Sequence, residues 1–227
     1  MGESTGKPAA VDMQAIANAV ISGNRELVVE LVKKAIETGV PPGDILEKGL
    51  IAGMEVVGRK FKANEFYVPE VLIAARAMSN VKEKDTKPGA MEILEPHLAR
   101  AGVQPVASAI IGTVKGDLHD IGKNLVVMMM EGGGYEVVDL GADVSAERFV
   151  DAVRNHRPAF VGFSALLTTT MKEMRQTILA LEKAGLRSAA RVIVGGAPVT
   201  ERFAREIGAD GYAPDATSVV AMMQSLL

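Results

Sequence analysis

Position 119 is a histidine with an aspartate two residues before it, in the stretch Lys115-Gly116-Asp117-Leu118-His119-Asp120-Ile121-Gly122-Lys123-Asn124. Neutral imidazole is a good ligand for a transition metal. A carboxylate that accepts the other ring N–H fixes the tautomer and raises the basicity of the free nitrogen. Gly116 and Gly122 remove the Cβ atoms that would obstruct close approach of backbone to a ligand. Taken alone, an Asp-x-His pair is more often plainer, with Asp117 or Asp120 capping the next helix and His119 solvated. An ordinary metal centre fits the sequence poorly. There are three histidines, His97, His119 and His156, and no cysteine, whereas a zinc site needs three or four protein ligands. One strong imidazole suits a metal already held by a macrocycle, with only an axial position left to fill. That narrows the field to a tetrapyrrole-type cofactor.

Two other stretches carry polar or small residues where a ligand could lie. The first is Gly162-Phe163-Ser164-Ala165-Leu166-Leu167-Thr168-Thr169-Thr170-Met171, whose hydroxyls offer donors and acceptors without bulk. One threonine is expected to cap the following helix, but a cap needs one hydroxyl and four are present. The second is Gly195-Gly196-Ala197-Pro198, a gap between a strand end and a helix, or a simple turn. Gly132-Gly133-Gly134 reads as a helix end and Met128 to Met130 as core packing.

The elements that must position these residues emerge from the apolar periodicity. Residues 11–22, 25–37, 45–62 and 68–84 read as four helices of a small bundle, with Asp44 as N-cap of the third and Pro69 in the first turn of the fourth. Residues 82–88, running into Lys87-Pro88-Gly89, read as a linker, and 91–100 as a helical turn or two. From residue 105 the pattern changes. Short apolar runs at 106–114, 135–140, 159–163, 191–194 and 211–212 alternate with helical stretches at 122–131, 145–155, 170–184, 200–207 and 216–227. This alternation implies right-handed crossovers and a doubly wound parallel sheet, with the flavodoxin-like order 2-1-3-4-5. Such sheets bind ligands beyond the carboxyl ends of the strands, where the order reverses. The loops after Val114 and Phe163 flank that point, and both carry the unusual residues above.

Composition narrows the function. The 25 Lys and Arg against 28 Asp and Glu leave a net charge of −3, which argues against nucleic-acid binding. The absence of cysteine excludes disulfides, thiolate metal sites and cysteine nucleophiles. No apolar run approaches the ~20 residues that span a bilayer, and the polar start lacks the order of a signal peptide. A cytoplasmic protein without membrane attachment is expected.

The residues Asp117-Leu118-His119-Asp120-Ile121-Gly122 resemble the Asp-x-His-x-x-Gly signature of cobalamin-binding domains that hold the cofactor base-off and histidine-on. Ser164-Ala165-Leu166 and Gly195-Gly196 stand at the expected later positions. The first 90 residues resemble the helical cap of cobalamin-dependent methionine synthase, and the chain beyond its extreme N-terminus resembles the corrinoid proteins of methyltransferase systems. The resemblance implies an α/β protein: a flexible stretch 1–10, a four-helix cap at 11–90, a linker at 91–103 and a Rossmann-like cobalamin domain at 104–227. It implies that His119 is the lower axial ligand of cobalt, that Asp117 hydrogen-bonds to it, and that Thr170 continues the relay where methionine synthase has serine. Gly116, Leu118, Asp120, Ile121 and Gly122 complete the binding loop. Ser164, Leu166 and Thr168 would line the path of the nucleotide tail, Gly195 and Gly196 its slot, and Ala216 would touch the corrin. Phe61, Val68 and Val71 would cover the ring from above, beside Glu47.

The function that the resemblance implies is that of a methyl carrier alternating between Co(I) and methyl-Co(III), with a cap that moves aside for each partner. The implied partners are a substrate-specific methyltransferase, a corrinoid:tetrahydrofolate or corrinoid:thiol-coenzyme methyltransferase, and a reductive activating protein. The competing reading is a cobalamin-dependent sensor, for which no basic output module is evident in the sequence.

Overall fold

A computed structural model describes residues 11–78 and 88–227. The chain divides into two compact units, Met1–Gln104 and Pro105–Leu227. The 1–10 stretch and the charged linker residues 82–87 lie outside the described residues.

In the first unit, α1 (Met13–Ile21) is capped by Asp12, whose side chain accepts from the Gln14 N–H, and α2 (Arg25–Glu37) by Asn24, which accepts from the Leu27 N–H. The third expected helix starts earlier than its sequence suggests. A short α3 (Pro42–Asp44) opens on proline, runs into a π-helical segment (Ile45–Ile51) and continues as α4 (Ala52–Lys62). Pro42 is pre-set for a first helical turn and lacks only an N–H that would be unpaired there. Asp44 is therefore inside the helix rather than its cap, and pairs with Lys48 at 2.9 Å. α1 packs against the π-helical segment and α4 through Gly49 and Gly53: a Cβ on Gly53 would lie 2.8 Å from Val20 Cβ and 2.9 Å from the Ala17 carbonyl oxygen.

α5 (Val68–Met78) comes next, with the Tyr67 N–H donating to Glu70 Oε2 at 2.9 Å. The segment 91–103, expected as a linker with a helical turn or two at 91–100, is helical over most of its length as α6 (Ala90–Arg100). Leu94 and Leu98, one turn apart, are buried, and the helix packs on α2 and α5. The helical unit thus extends past residue 90, because this segment carries an apolar stripe that needs cover.

The second unit has five parallel strands in the order β2-β1-β3-β4-β5, matching the order the alternation implied. They are β1 (Ser108–Thr113), β2 (Glu136–Asp139), β3 (Phe160–Ser164), β4 (Arg191–Gly195) and β5 (Gly211–Ala213). The connecting helices are α7 (Ile121–Gly132), α8 (Ala146–His156), α9 (Met171–Lys183) and α10 (Glu201–Glu206), with α11 (Ser218–Leu226) at the end. β1, β3 and β4 are nearly continuous runs of buried residues, as a sheet covered on both faces requires. One face packs Ile110, Val161, Phe163, Val192 and Val194 with Phe149 and Val153 of α8 and Met174, Ile178 and Leu181 of α9. The Phe149 and Phe163 rings meet edge to face, 4.8 Å between centroids. Met128 to Met130 are buried, as expected of core residues.

Register decides what the sheet presents at its carboxyl edge. Thr113 of β1 stands opposite Ser164 of β3, Ser164 opposite Gly195 of β4, and Gly195 opposite Ala213 of β5. The loops beyond these residues therefore leave the sheet side by side.

Candidate cobalamin site

Asp117 is fully buried, and each of its carboxylate oxygens is occupied. Oδ1 accepts from the His119 backbone N–H at 3.1 Å and contacts His119 Nδ1 at 2.7 Å. Oδ2 accepts from the Leu166 N–H at 2.8 Å, the Leu167 N–H at 3.2 Å and the Thr170 hydroxyl at 2.8 Å. Burial by itself would push this carboxyl up, yet the donors from Leu166, His119 and Thr170 outweigh it. They hold the carboxyl well below the usual carboxylate range, because a carboxylate that accepts several N–H and O–H bonds strongly favours its charged form. A buried carboxylate beside Nδ1 orients the ring and, with the proton on Nδ1, leaves Nε2 as the free nitrogen. The His119 side chain is 51% exposed, so one edge of the ring is anchored and the other is open.

Thr170 occupies the N-cap position of α9 but makes no capping bond with its side chain. The hydroxyl that the sequence suggests as a cap sits between Asp117 Oδ2 and the Leu167 carbonyl, 2.9 Å away. A buried anion is the stronger acceptor and takes the hydroxyl from the helix. Asp120 likewise stands at the N-cap of α7 without a side-chain capping bond.

The loop itself is held by residues that sequence reasoning passed over. The Thr113 hydroxyl donates to the His119 carbonyl at 3.0 Å, and Thr113 is itself fully buried. Asp143, after β2, accepts from the Gly116 N–H at 2.7 Å through Oδ1 and donates its own N–H to the Asp117 carbonyl at 3.0 Å. Beside them Val114 and Val144 form a parallel bridge. Lys123 has a side chain 1% exposed, with Nζ 2.5 Å from Asp139 Oδ2 and 2.6 Å from Asn124 Oδ1. A charge so placed is tolerated only because it is paired, and the pair ties the start of α7 to the end of β2. A threonine ending an apolar strand and a lysine one residue past Gly122 were the available signals.

The glycines divide by role. Gly116 has φ +78°, a left-handed conformation that glycine adopts freely. A Cβ on Gly122 would meet nothing within 4 Å, so the chain's own packing does not demand glycine there. Gly196, at φ +128°, would put a Cβ 1.9 Å from the Ala165 carbonyl oxygen, and a Cβ on Gly195 would lie 3.1 Å from that of Ala213. Gly196 is thus required by the close approach of the β3 and β4 loops.

Around His119 the surface is unusually apolar. Leu118 and Ile121 are 76% and 79% exposed, and Leu166 and Leu167 are 43% and 41% exposed. Ser164 is half-buried, Thr168 exposed, and Ala216 buried. In the helical unit Glu47 and Val68 are exposed and Phe61 is half-buried. Val71, expected on the ring face, is fully buried on the same stripe of α5 as Ala74, Ala75 and Met78, and core packing accounts for it.

Among the described residues no group of three or more His, Cys, Asp or Glu could hold a metal ion. An exposed imidazole on a buried anion, set among exposed leucine and isoleucine side chains, does fit a metal that arrives in a flat, largely apolar macrocycle. This donor set and its place at the sheet's switch point define a cobalamin-binding protein. The chain belongs to the corrinoid protein family: residues 107–221 and 13–82 each match a family described as a B12 binding domain. It is 41% identical over 212 residues to a dimethylamine corrinoid protein of Methanosarcina acetivorans, covering 93% of this chain and 95% of that one. Among solved structures it is similar to a cobalamin-binding protein from Desulfitobacterium hafniense, with 32% identity, a TM-score of 0.77, and coverage of 96% of this chain and all of that one. It is also similar to a methanol:cobalamin methyltransferase complex from Methanosarcina barkeri, with 29% identity, a TM-score of 0.78, and coverage of 94% of this chain and 78% of that one. Among the described residues no helix is long and apolar enough to cross a membrane.

Proposed function

We propose that this chain is the methyl carrier of a methyltransferase system, holding its corrinoid base-off with His119 Nε2 as the lower ligand. The observation that carries the reading is the 2.7 Å contact between His119 Nδ1 and a fully buried, multiply bonded Asp117 carboxylate. The corrinoid, once bound, supplies the cobalt atom that accepts and releases the methyl group. The chain supplies the rest. Asp117 would orient the ring through Nδ1 so that Nε2 could serve as the nitrogen that holds the metal. Thr170, through Oδ2, keeps that carboxylate anionic and in place. Leu118, Ile121, Leu166 and Leu167 would offer the macrocycle an apolar surface and help to exclude water from the ligand bond. Gly122, with no packing reason of its own, leaves room for the macrocycle. Ser164, Thr168, Gly195 and Gly196 are assigned to the nucleotide tail. Asp120, Ala216, Glu47, Phe61 and Val68 are assigned to contacts with the corrinoid.

The partners in this reading are a methyltransferase that loads the methyl group from its own substrate, a second that passes it to tetrahydrofolate or a thiol coenzyme, and a protein that restores the reduced metal. The names of the similar proteins, corrinoid proteins of methylamine use and a methanol:cobalamin methyltransferase complex, support a small methylated donor.

Titration of the purified chain with hydroxocobalamin tests the ligand assignment. With 15N-labelled protein, the wild type is expected to take up the corrinoid and show in the Co(II) EPR spectrum the splitting of an axial 15N, which only the protein can supply. His119→Gly is expected to retain the corrinoid and lose that nitrogen. Identical spectra for the two proteins would remove His119 from the mechanism.

A further inference from the structure

We infer that Asp143 is a positioning residue for the metal-ligating histidine, acting from outside the Asp-x-His stretch by clamping the loop that carries it. This rests on the proposed ligation by His119.

Beyond Val114, which is still bridged to Val144 and bonded to the Ser164 carbonyl, the loop to His119 leaves the strand ladder at the sheet's carboxyl edge. Its direction is set by the peptide groups of Gly116 and Asp117. Gly116, at φ +78°, turns its N–H onto Asp143 Oδ1 at 2.7 Å. The Asp117 carbonyl accepts from the Asp143 N–H at 3.0 Å. A single residue thus binds two successive peptide groups of the loop, one through its carboxylate and one through its backbone. An exposed carboxylate has little need of such a partner for its own sake. Asp143 does so at φ +54°, a left-handed conformation that costs non-glycine residues about 1 kcal/mol or more, and that aspartate tolerates better than most.

The consequence falls on His119. The ring is fixed at Nδ1 by Asp117 Oδ1, and Asp117 is fixed through Oδ2 by the β3 loop. Those bonds set the carboxylate; the backbone between Val114 and Asp117 is closed by the Asp117 N–H on the Val114 carbonyl at 3.1 Å, and Asp143 fixes the peptide groups at its turn. Loss of that clamp frees Gly116 to turn and lets the Cα of Asp117 and His119 drift under an unchanged carboxylate. The metal–nitrogen bond requires Nε2 at one place beneath the macrocycle, so the predicted symptom is a ligand that binds a smaller fraction of the time.

Two substitutions separate the carboxylate from the backbone conformation. Asp143→Gly keeps the left-handed turn and the N–H to Asp117 but deletes the acceptor for Gly116. Asp143→Asn keeps a side-chain oxygen and tolerates the same turn. Each protein, 15N-labelled, is loaded with cobalamin, reduced to Co(II), and read by EPR for the axial 15N. Amide exchange at Gly116 is read on the protein without cofactor. The expected result is a roughly tenfold drop in the ratio of nitrogen-ligated to unligated cobalt for Asp143→Gly, in line with losses at other outer partners of metal-bound histidines. Exchange at Gly116 is expected to speed up by a similar factor, and Asp143→Asn to restore most of both. A wild-type protein with axial nitrogen and an Asp143→Gly protein indistinguishable from it would overturn the inference while leaving the ligand assignment intact. Equal losses in the Gly and Asn variants would also overturn it. A wild type with no axial nitrogen would instead sink the ligand assignment, and this inference with it.

Discussion

Replacing Asp117 by asparagine tests the central physical argument without any cofactor present. The carboxylate accepts from two backbone N–H groups and one hydroxyl at Oδ2, and from the His119 backbone N–H at Oδ1. Asparagine has the same shape but one oxygen and one NH₂ group. If its oxygen faces Leu166, Leu167 and Thr170, the NH₂ points at the His119 N–H. If it turns over, the NH₂ opposes two N–H donors at hydrogen-bond distance. Either way donors meet donors in a fully buried place. Hydrogen bonds to charged groups contribute about 1.5–3 kcal/mol each, and a buried donor left unpaired costs about 1–3 kcal/mol. Loss of two such bonds with partial relaxation gives about 3–5 kcal/mol, the range seen when one member of a buried charged network is removed.

The assay is urea unfolding of the cofactor-free protein at pH 7 and again in acid. In the wild type the Asp117 carboxyl is held below its unfolded value of about 3.9, so the folded state binds fewer protons than the unfolded one. Its contribution is fully present above that unfolded value and is lost as pH falls toward the folded value. Asp117→Asn is therefore expected to be less stable at neutral pH and to differ less from the wild type as the solution is acidified. A variant within about 0.5 kcal/mol of the wild type at pH 7, the size of an ordinary surface change, would mean that the buried carboxylate and its donors contribute nothing to the fold.

Two further outcomes are expected. Gly196→Ala brings a Cβ to 1.9 Å from the Ala165 carbonyl oxygen at a φ of +128°, so the β3 and β4 loops must separate; a loss of about 3 kcal/mol or more in unfolding free energy is expected, and a stability equal to the wild type would show that the loops can part freely. Asp215→Ala removes the acceptor of the Thr217 and Ser218 N–H groups at 3.0 and 2.8 Å before α11, with an expected loss of about 1–2 kcal/mol by denaturation. Burial would raise the Asp215 carboxyl but those bonds lower it, so its contribution too should fade as pH falls through the folded value.

The helices and strands were legible because each carries its own periodicity. The apolar runs at 106–114, 159–163 and 191–194 could only be buried parallel strands once helices of matching length stood between them, and the strand order came with that alternation. His119 and Asp117 were visible for the same local reason, since two residues of chain suffice to bring a carboxylate to Nδ1. α6 reads from its sequence only as a helical turn or two within a linker, because its apolar stripe is short and interrupted by Pro96, and α2 and α5 complete it by covering that stripe.

Other features belong to no local stretch of sequence. Spacing alone leaves Thr170 as one of three threonines that could cap a helix, and only the resemblance points it at Asp117; packing places its hydroxyl on that anion 53 residues away, and it places Val71 in a core. Asp143 belongs to no motif in the sequence, and its carboxylate acquires meaning only where β2 lies beside β1. Sequence alone determined which chemistry was on offer, because ligand type and spacing are covalent facts. Tertiary structure decided what holds that chemistry still, because hydrogen bonds between loops of separate strands depend on register, and register is a property of the whole sheet.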